Sequence, residues 1–157
     1  MSYSITKVKT FRGDEGHGFN ATLLFNGKPV ADVDDMADGG MYRWRWLAKD
    51  RAQARVDEAA LEAHVKTLPP LEINGSPLAM DADLFVSCMV EDINIAKQIA
   101  RWCKTSVAWV EGRDIRRTKA PPSPALIANV AKNYPAAQIL NTMPADAALA
   151  LVKAVSL

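Results

Sequence analysis

The sequence has little of what marks a secreted, membrane-bound or strongly charged protein. It carries 19 basic and 18 acidic residues, a net charge of +1, so no general attraction to nucleic acid or to a membrane surface is expected. No uncharged apolar run approaches the roughly 18 residues that a membrane span needs, and no apolar stretch follows the basic residues of the opening MSYSITKVK. We therefore expect a cytoplasmic protein.

Cysteine and histidine are also scarce, with two of each. Cys88 and Cys103 fall in one predicted helix about 22 Å apart, too far for a disulfide, and buried thiols in a reducing compartment are expected. His17 and His64 occur in no nucleophile, phosphate-loop or zinc spacing. We predict no enzyme activity, no cofactor and no metal site. A small enzyme using Cys88 and His64 is kept as a second alternative, although a buried thiol is inert unless a nearby cation lowers its pKa.

What the sequence does contain is typical of one folded domain. Its 157 residues are 49% hydrophobic and 24% charged, and a chain of this length buries about two-thirds of the surface that it exposes when unfolded. No repeat, low-complexity tract or domain linker is visible. We predict one domain over residues 1–157.

The first third of the chain predicts antiparallel strands. Residues 4–11 alternate with the strand period, and residues 19–25 are rich in β-formers, with a glycine-bearing loop between them. Asn26-Gly27 tolerates the positive φ angles of a type I′ turn, so a return strand is expected over residues 29–33. A three-stranded meander therefore ends at a cluster of aspartates.

Helical periodicity follows. Residues behind Asp57 place apolar side chains at helical spacing until Pro69-Pro70 stops the helix. Residues 71–80 form a connector with an Asn-Gly turn. Asp81 then caps a longer helix whose apolar stripe runs to Trp102.

The remaining chain predicts a second hairpin and two helices. Residues 106–110 and 115–119 flank EGRD as a hairpin, Ser123 caps a helix with Pro124 in its first turn, and a final helix runs over residues 144–155. The predicted fold class is α+β: an N-terminal antiparallel β-meander and a second hairpin, packed against three to four helices.

Two segments carry a resemblance to a known family. The chain has F-x-A-x-L-x-x-x-G-K near its start and I-L-N-x-x-P-x-x-x-A-L-A-L near its end. The residues concerned are Phe19, Ala21, Leu23, Gly27, Lys28, Ala31, Val33, Gly39, Gly40, Lys119, Ile139, Leu140, Asn141, Pro144, Ala148, Leu149, Ala150 and Leu151. These patterns resemble a family of small uncharacterised proteins encoded by phages, prophages and plasmids. The resemblance implies a mobile-element setting in a host cell and attaches no chemistry.

The stretch DVDDMADGGMYRWRW, residues 32–46, is the first candidate surface. Four aspartates, at positions 32, 34, 35 and 38, could offer oxygen ligands to Ca²⁺ or Mg²⁺, but their spacing is not that of an EF-hand. A solvated turn with local side-chain to backbone hydrogen bonds is the preferred interpretation.

The end of the same stretch alternates in type. In an extended strand Tyr42, Trp44 and Trp46 share one face, either packed on the core or exposed as an interface hot spot, and two arginines share the other. The residues predicted to bind a partner are Asp34, Asp35, Asp38, Arg43 and Arg45.

The second candidate surface is the basic hairpin, which comprises Arg113, Arg116, Arg117 and Lys119. Clustered cations of this kind contact phosphates, and Trp102 and Trp109 could stack on bases or belong to the core. Because Glu111 and Asp114 lie in the same stretch, a solvated strand face is the competing interpretation. A nucleic-acid-binding accessory protein is therefore the first alternative function.

Taken together, these features favour a non-catalytic mobile-element protein that binds a host protein or ribonucleoprotein complex. The sharpest form of this hypothesis is an inhibitor of a host defence complex, similar in class to anti-CRISPR proteins. Its basis is the resemblance together with the lack of catalytic motifs, so it is an inference by analogy.

Overall fold

A computed structural model describes residues 2–73 and 75–156 of the chain. Over these residues it contains four α-helices and three antiparallel sheets, which confirms the predicted α+β class. The chain divides into two compact units, Met1–Glu91 and Asp92–Leu157. Whether they act as the one domain expected from the sequence stays a prediction.

The first unit contains a four-stranded sheet. Its strands are β1 (Tyr3–Gly13), β2 (Gly16–Phe25), β3 (Lys28–Asp35) and β4 (Arg43–Trp46), in the order β1-β2-β3-β4. The predicted meander is confirmed and gains β4 as a fourth strand at its edge. The predicted turn is also confirmed, since Asn26 and Gly27 have φ angles of 49° and 79°. The glycine-bearing loop expected between the first two strands is shorter than expected, because their pairing continues to Gly13 and Gly16.

A β-bulge interrupts β1. Thr6 pairs with Thr22 and Lys9 with Asn20, so Lys7 and Val8 together oppose Ala21. Lys7 has a φ of 54°, the left-handed conformation of one bulge class. Val8 packs against the core, while Lys7 and Lys9 both border a groove on the other face of the sheet.

Two helices cover the inner face of this sheet. Helix α1 (Arg51–Val65) and the start of helix α2 (Ala82–Thr105) bring Leu61, Val65, Val86 and Val90 against buried side chains of β2 and β3. The start predicted for α1 at Asp57 is wrong, because Asp50 is the N-cap and accepts the Gln53 N–H at 2.9 Å. Asp57 lies inside the helix, where its carboxylate accepts from the Gln53 side chain.

The predicted connector after α1 contains a short hairpin, β5 (Leu71–Ile73) and β6 (Ser76–Leu78). Asn74 of its predicted Asn-Gly turn lies outside the described residues. Asp81 caps α2 as predicted, with its carboxylate accepting the Leu84 N–H at 2.8 Å.

The second unit surrounds a three-stranded sheet. Strand β7 (Ala108–Glu111) lies between β8 (Asp114–Arg117) and the two-residue β9 (Gln138–Ile139). Helices α3 (Pro124–Asn133) and α4 (Ala145–Ser156) complete the unit, with a 3₁₀ turn over Leu140–Thr142. The predicted hairpin is confirmed, and so is the Ser123 cap, whose hydroxyl accepts the Leu126 N–H.

One side chain ties the elements of the second unit together. The Asn141 carbonyl oxygen accepts the Ala108 N–H at 2.7 Å, and its amide donates to the Cys103 and Ser106 carbonyl oxygens at 3.0 Å each. The Asn141 side chain therefore supplies hydrogen-bond partners to the backbone N–H of the first residue of β7 and to two backbone carbonyl oxygens at the end of α2. The last carbonyl oxygens of a helix have no partner within the helix.

Candidate partner-binding face

The outer face of the four-stranded sheet is polar. Alternation along β2 and β3 turns Phe19, Ala21, Leu23, Ala31 and Val33 to the core, which leaves the intervening residues on the opposite face. We call this surface the charged face. It comprises Lys7, Lys9, Asn20, Thr22, Asp32, Asp34, Arg43 and Arg45.

The register of β3 and β4 places acids opposite arginines. Asp32 pairs with Arg45 and Asp34 with Arg43 across the two strands. Arg45 forms an ion pair with Asp32, whose carboxylate also accepts from the Thr22 hydroxyl at 2.8 Å. The Asp34 carboxylate instead accepts from the Asn20 side chain at 2.6 Å. Opposite charges directly across a strand pair stabilise that register.

The turn between β3 and β4 is held by its own aspartates. The Asp35 carboxylate accepts the Ala37 N–H at 2.8 Å, and the Asp38 carboxylate accepts the Gly40 N–H at 3.1 Å. Asp38 also lies 3.5 Å from the Arg43 guanidinium. These are the local side-chain to backbone hydrogen bonds expected of a solvated aspartate turn, and among the described residues no group of acids, histidines or cysteines is arranged to hold a metal ion.

This turn packs against the end of the β1–β2 hairpin. The Glu15 N–H donates to the Ala37 carbonyl oxygen at 2.9 Å. A Cβ at Gly18 would overlap the Asp35 carbonyl oxygen and lie 2.8 Å from the Phe11 ring, so only glycine permits this approach. Sequence patterns did not reveal this contact, because the partners are far apart in the chain.

The aromatic side of β4 faces inward, which agrees with the first of the two interpretations, packing on the core. The Trp44 and Trp46 rings stack with centroids 5.7 Å apart, and both are half-buried against the core. The Trp44 indole N–H donates to Asp83 of α2 at 2.7 Å. Arg43 and Arg45 point the other way and are exposed. The predicted division of this strand into a packing face and a charged face is confirmed.

The charged face is concave where the bulge in β1 lies. A shallow groove of about 580 Å³ runs between Lys7 and Lys9 on one side and Asp32, Asp34 and Arg45 on the other. It combines three cations with two carboxylates. Such a surface can exchange ion pairs and hydrogen bonds with a macromolecule that carries both signs of charge.

The two arginines of the basic hairpin that lie in β8, Arg116 and Arg117, do not share one patch. Arg116 lies 3.1 Å from Glu111 and 3.4 Å from Asp114, so its charge is locally paired. Arg117 is the next residue along β8 and therefore points to the opposite face, where its guanidinium lies 5.2 Å from the centre of the Trp102 ring. Trp109 is buried in the core. This arrangement matches the solvated-face interpretation better than a phosphate-binding cluster.

The residues of the enzyme alternative lie in packing positions. The half-buried His64 ring has its centroid 5.0 Å from that of Tyr3 and 5.5 Å from that of Phe85. Cys88 and Cys103 both lie in α2, which confirms their place in one helix, but they are half-buried and not fully buried as expected. Burial raises the pKa of the Cys103 thiol.

Comparisons with known proteins add no assignment. The sequence matches no protein-family model, and searches of curated proteins and of solved structures give no match. The resemblance to mobile-element proteins therefore stays a prediction. Within the described part of the chain, no helix is both long and apolar enough to cross a membrane.

Proposed function

We propose that this chain is a non-catalytic protein of a mobile genetic element that binds a host protein or ribonucleoprotein complex through its charged face. The observation that carries the proposal is the register of β3 and β4 at the edge of a four-stranded sheet, which sets the exposed Arg45 and Arg43 opposite Asp32 and Asp34. Inhibition of a host defence complex, as anti-CRISPR proteins do, is its sharper form and draws on the sequence resemblance together with the lack of catalytic motifs.

The two arginines of the charged face can change partners at little cost. The Arg45 side chain is 76% exposed and the Arg43 side chain 66% exposed. Exposed ion pairs contribute only about 0–1 kcal/mol to stability, because water and salt screen them. A partner can therefore take over these charges without unfolding the strands that present them.

The backbone under these charges is well fixed. Four antiparallel strands hold it, and Trp44 fastens β4 to α2 through the bond to Asp83. A surface built on regular elements presents its side chains in one geometry, which lowers the entropy cost of binding.

A charge swap tests the proposal. Arg45→Asp breaks the ion pair with Asp32 and should remove the complex that the wild-type chain forms in host-cell lysate, measured by affinity capture, mass spectrometry and the stoichiometry of the isolated complex. The double variant Asp32→Arg with Arg45→Asp restores an internal pair while reversing the charges presented to a partner. Because it also removes the carboxylate that accepts from the Thr22 hydroxyl, its Tm is measured beside its binding and must stay close to that of the single variant or above it. We expect it to bind no better than the single variant, since the presented pattern is what the partner recognises.

The control is Arg51→Asp, an exposed arginine at the start of α1, outside the charged face. It should retain the complex. Recovery of binding in the double variant would show that the Asp32–Arg45 pair matters only for the structure of the sheet, and the proposal would then fail. Capture of the same complex by all three variants would also contradict it.

A further inference from the structure

An apolar groove lies on the inner side of β4, within the first unit. Its volume is about 470 Å³, and Met41, Tyr42, Trp44, Val65 and Met80 contribute its apolar lining. It does not include the residues of the charged face. It is therefore a second surface, and the proposal made for the charged face does not depend on it.

Met41 marks the open side of this groove. Its side chain is 89% exposed, the largest exposed fraction among the exposed large hydrophobic residues of the described chain. An isolated exposed apolar residue is ordinary, but Met41 continues an apolar surface formed by the half-buried Trp44 and Met80. Methionine is common at peptide-binding surfaces, because its unbranched, polarisable side chain adapts to different contours.

The rim of the groove is acidic. Glu62, Asp81 and Asp83 line it, against one cation, Lys66. Cationic groups are therefore favoured at this rim and anionic groups are repelled.

Beside burial, two of these carboxylates, Asp83 and Asp81, contribute to the raised pKa of the Tyr42 phenol, which lines the groove. Burial raises its pKa most, a hydrogen bond with Ser87 lowers it, and the charges of Asp35, Asp83 and Asp81 each raise it. Three carboxylates therefore act on one side chain of the groove lining.

We propose that this groove binds a peptide segment of a partner protein that carries a large apolar side chain beside a lysine or arginine. The apolar side chain would bury against Met41, Met80 and Trp44. The long cationic side chain would lay its aliphatic stem on the same surface and bring its charge to the acidic rim. Segments rich in acid are excluded by repulsion, and purely polar segments gain no burial.

A peptide array tests this inference directly. The purified full chain is applied to an array of random 12-residue peptides, and the affinities of the bound peptides are then measured by fluorescence anisotropy. We expect the bound peptides to be enriched in sequences that combine Leu, Ile, Phe or Met with Lys or Arg. Met41→Ser should weaken their binding about tenfold or more, since it removes most of one buried apolar contact.

Matched control variants distinguish binding in the groove from nonspecific hydrophobic or electrostatic binding elsewhere on the chain. Val56→Ser alters an exposed apolar residue of α1 that does not line the groove, and it should leave affinity unchanged. Glu62→Gln should weaken the basic peptides and reduce the dependence of their affinity on salt, whereas Glu58→Gln, one turn earlier on the same helix, should not.

Several outcomes would overturn the inference. These are an array with no bound peptide, bound peptides without basic residues, and equal affinity for the wild type and Met41→Ser. A concentration-dependent dimer in analytical ultracentrifugation that Met41→Ser abolishes would assign the groove to a second copy of the chain and would also overturn it. Because every variant lies outside the charged face, failure here leaves the charge-swap experiment unaffected.

Discussion

Asn141→Ala should destabilise the second unit more than its modest burial suggests. The Asn141 side chain is only half-buried, yet it makes three hydrogen bonds to backbone groups 33 to 38 residues away in the chain. Alanine keeps the 3₁₀ backbone and removes all three bonds. The substitution therefore measures how far one side chain holds β7 and the end of α2 together.

The expected loss follows from its partners. A hydrogen bond contributes about 1 kcal/mol net, and a buried backbone donor left without a partner costs about 1–3 kcal/mol. Ala108 is fully buried, with 0% exposure, so its N–H has no ready access to water once Asn141 is gone. The two carbonyl oxygens at the end of α2 can be rehydrated more easily. We expect a loss of about 2–4 kcal/mol in the free energy of unfolding.

Urea and thermal unfolding of the purified chain measure this loss. For a chain of this length, about 2–4 kcal/mol corresponds to a fall in Tm of about 4–16 °C. Asn129→Ala is the matched control, because Asn129 is exposed on α3 and its side chain contacts only Asn133 among the hydrogen bonds described. That variant should change the free energy of unfolding by less than about 0.5 kcal/mol.

Asn141→Asp tests the hydrogen bond that the Asn141 side chain accepts separately from the two that it donates. The introduced carboxylate can still accept the Ala108 N–H, but it turns a negative charge towards the carbonyl oxygens of Cys103 and Ser106. At neutral pH we expect a loss at least as large as that of Asn141→Ala. Because these carbonyls raise the pKa of the introduced group, the loss should shrink as the pH falls through it, when protonation restores one donor. Stability of Asn141→Ala within about 0.5 kcal/mol of the wild type would refute the assigned role of this side chain.

Three further predictions concern the candidate surfaces. Trp44→Ala should lower the free energy of unfolding by about 2–4 kcal/mol, which is less than the loss for a fully buried tryptophan. Arg43→Ala should lower it by less than about 0.5 kcal/mol. Equal losses in urea unfolding would contradict the assignment of one face of β4 to packing and the other to solvent. DNA and RNA should bind weakly at physiological salt in fluorescence anisotropy, and strong binding that is lost when the three arginines of the basic hairpin become glutamine would restore the nucleic-acid alternative. Millimolar Ca²⁺ or Mg²⁺ should not raise the Tm. An ion present at a hundredfold excess over its Kd would add about 2.7 kcal/mol to the free energy of unfolding. A rise in Tm that is lost in the double variant Asp34→Asn with Asp38→Asn would identify a metal loop.

Local signals in the sequence predicted the elements whose causes are local. Asn26-Gly27 fixes its turn through φ angles that few residues accept, and Asp81 and Ser123 begin helices because their side chains accept the N–H groups of the first turn. The start of α1 was missed for a related reason. Asp50 and Asp57 are both suitable caps, and the apolar spacing that identified the helix begins only after the second.

Long-range pairing decided what the sequence could not predict. Strand β9 is two residues long and forms only because Trp109 and Val110 lie beside it. The nucleic-acid alternative required the arginines of the basic hairpin to share one patch, but neighbouring residues of a strand point to opposite faces, and Arg116 and Arg117 are neighbours. Periodicity predicts this division once the strand is known, but it does not predict that Arg116 forms ion pairs with Glu111 and Asp114.

At the end of segment 32–46, the alternation in β4 separates the residues that pack on the core from the charged residues at the exposed edge of the sheet. An edge strand exposes backbone groups that invite unwanted pairing, and charged side chains are one way in which proteins discourage it. Arg43 and Arg45 meet this need on β4 while Trp44 and Trp46 bind the strand to the core. The same charges are exposed and weakly held, so the features that protect the edge also leave it open to a partner with complementary charge. Protection of the edge requires only that charged side chains be present on β4. Recognition of a partner requires a positive or a negative charge at each specific position. The double variant Asp32→Arg with Arg45→Asp keeps charged side chains at the edge but reverses the charge at both positions, so it separates protection from recognition.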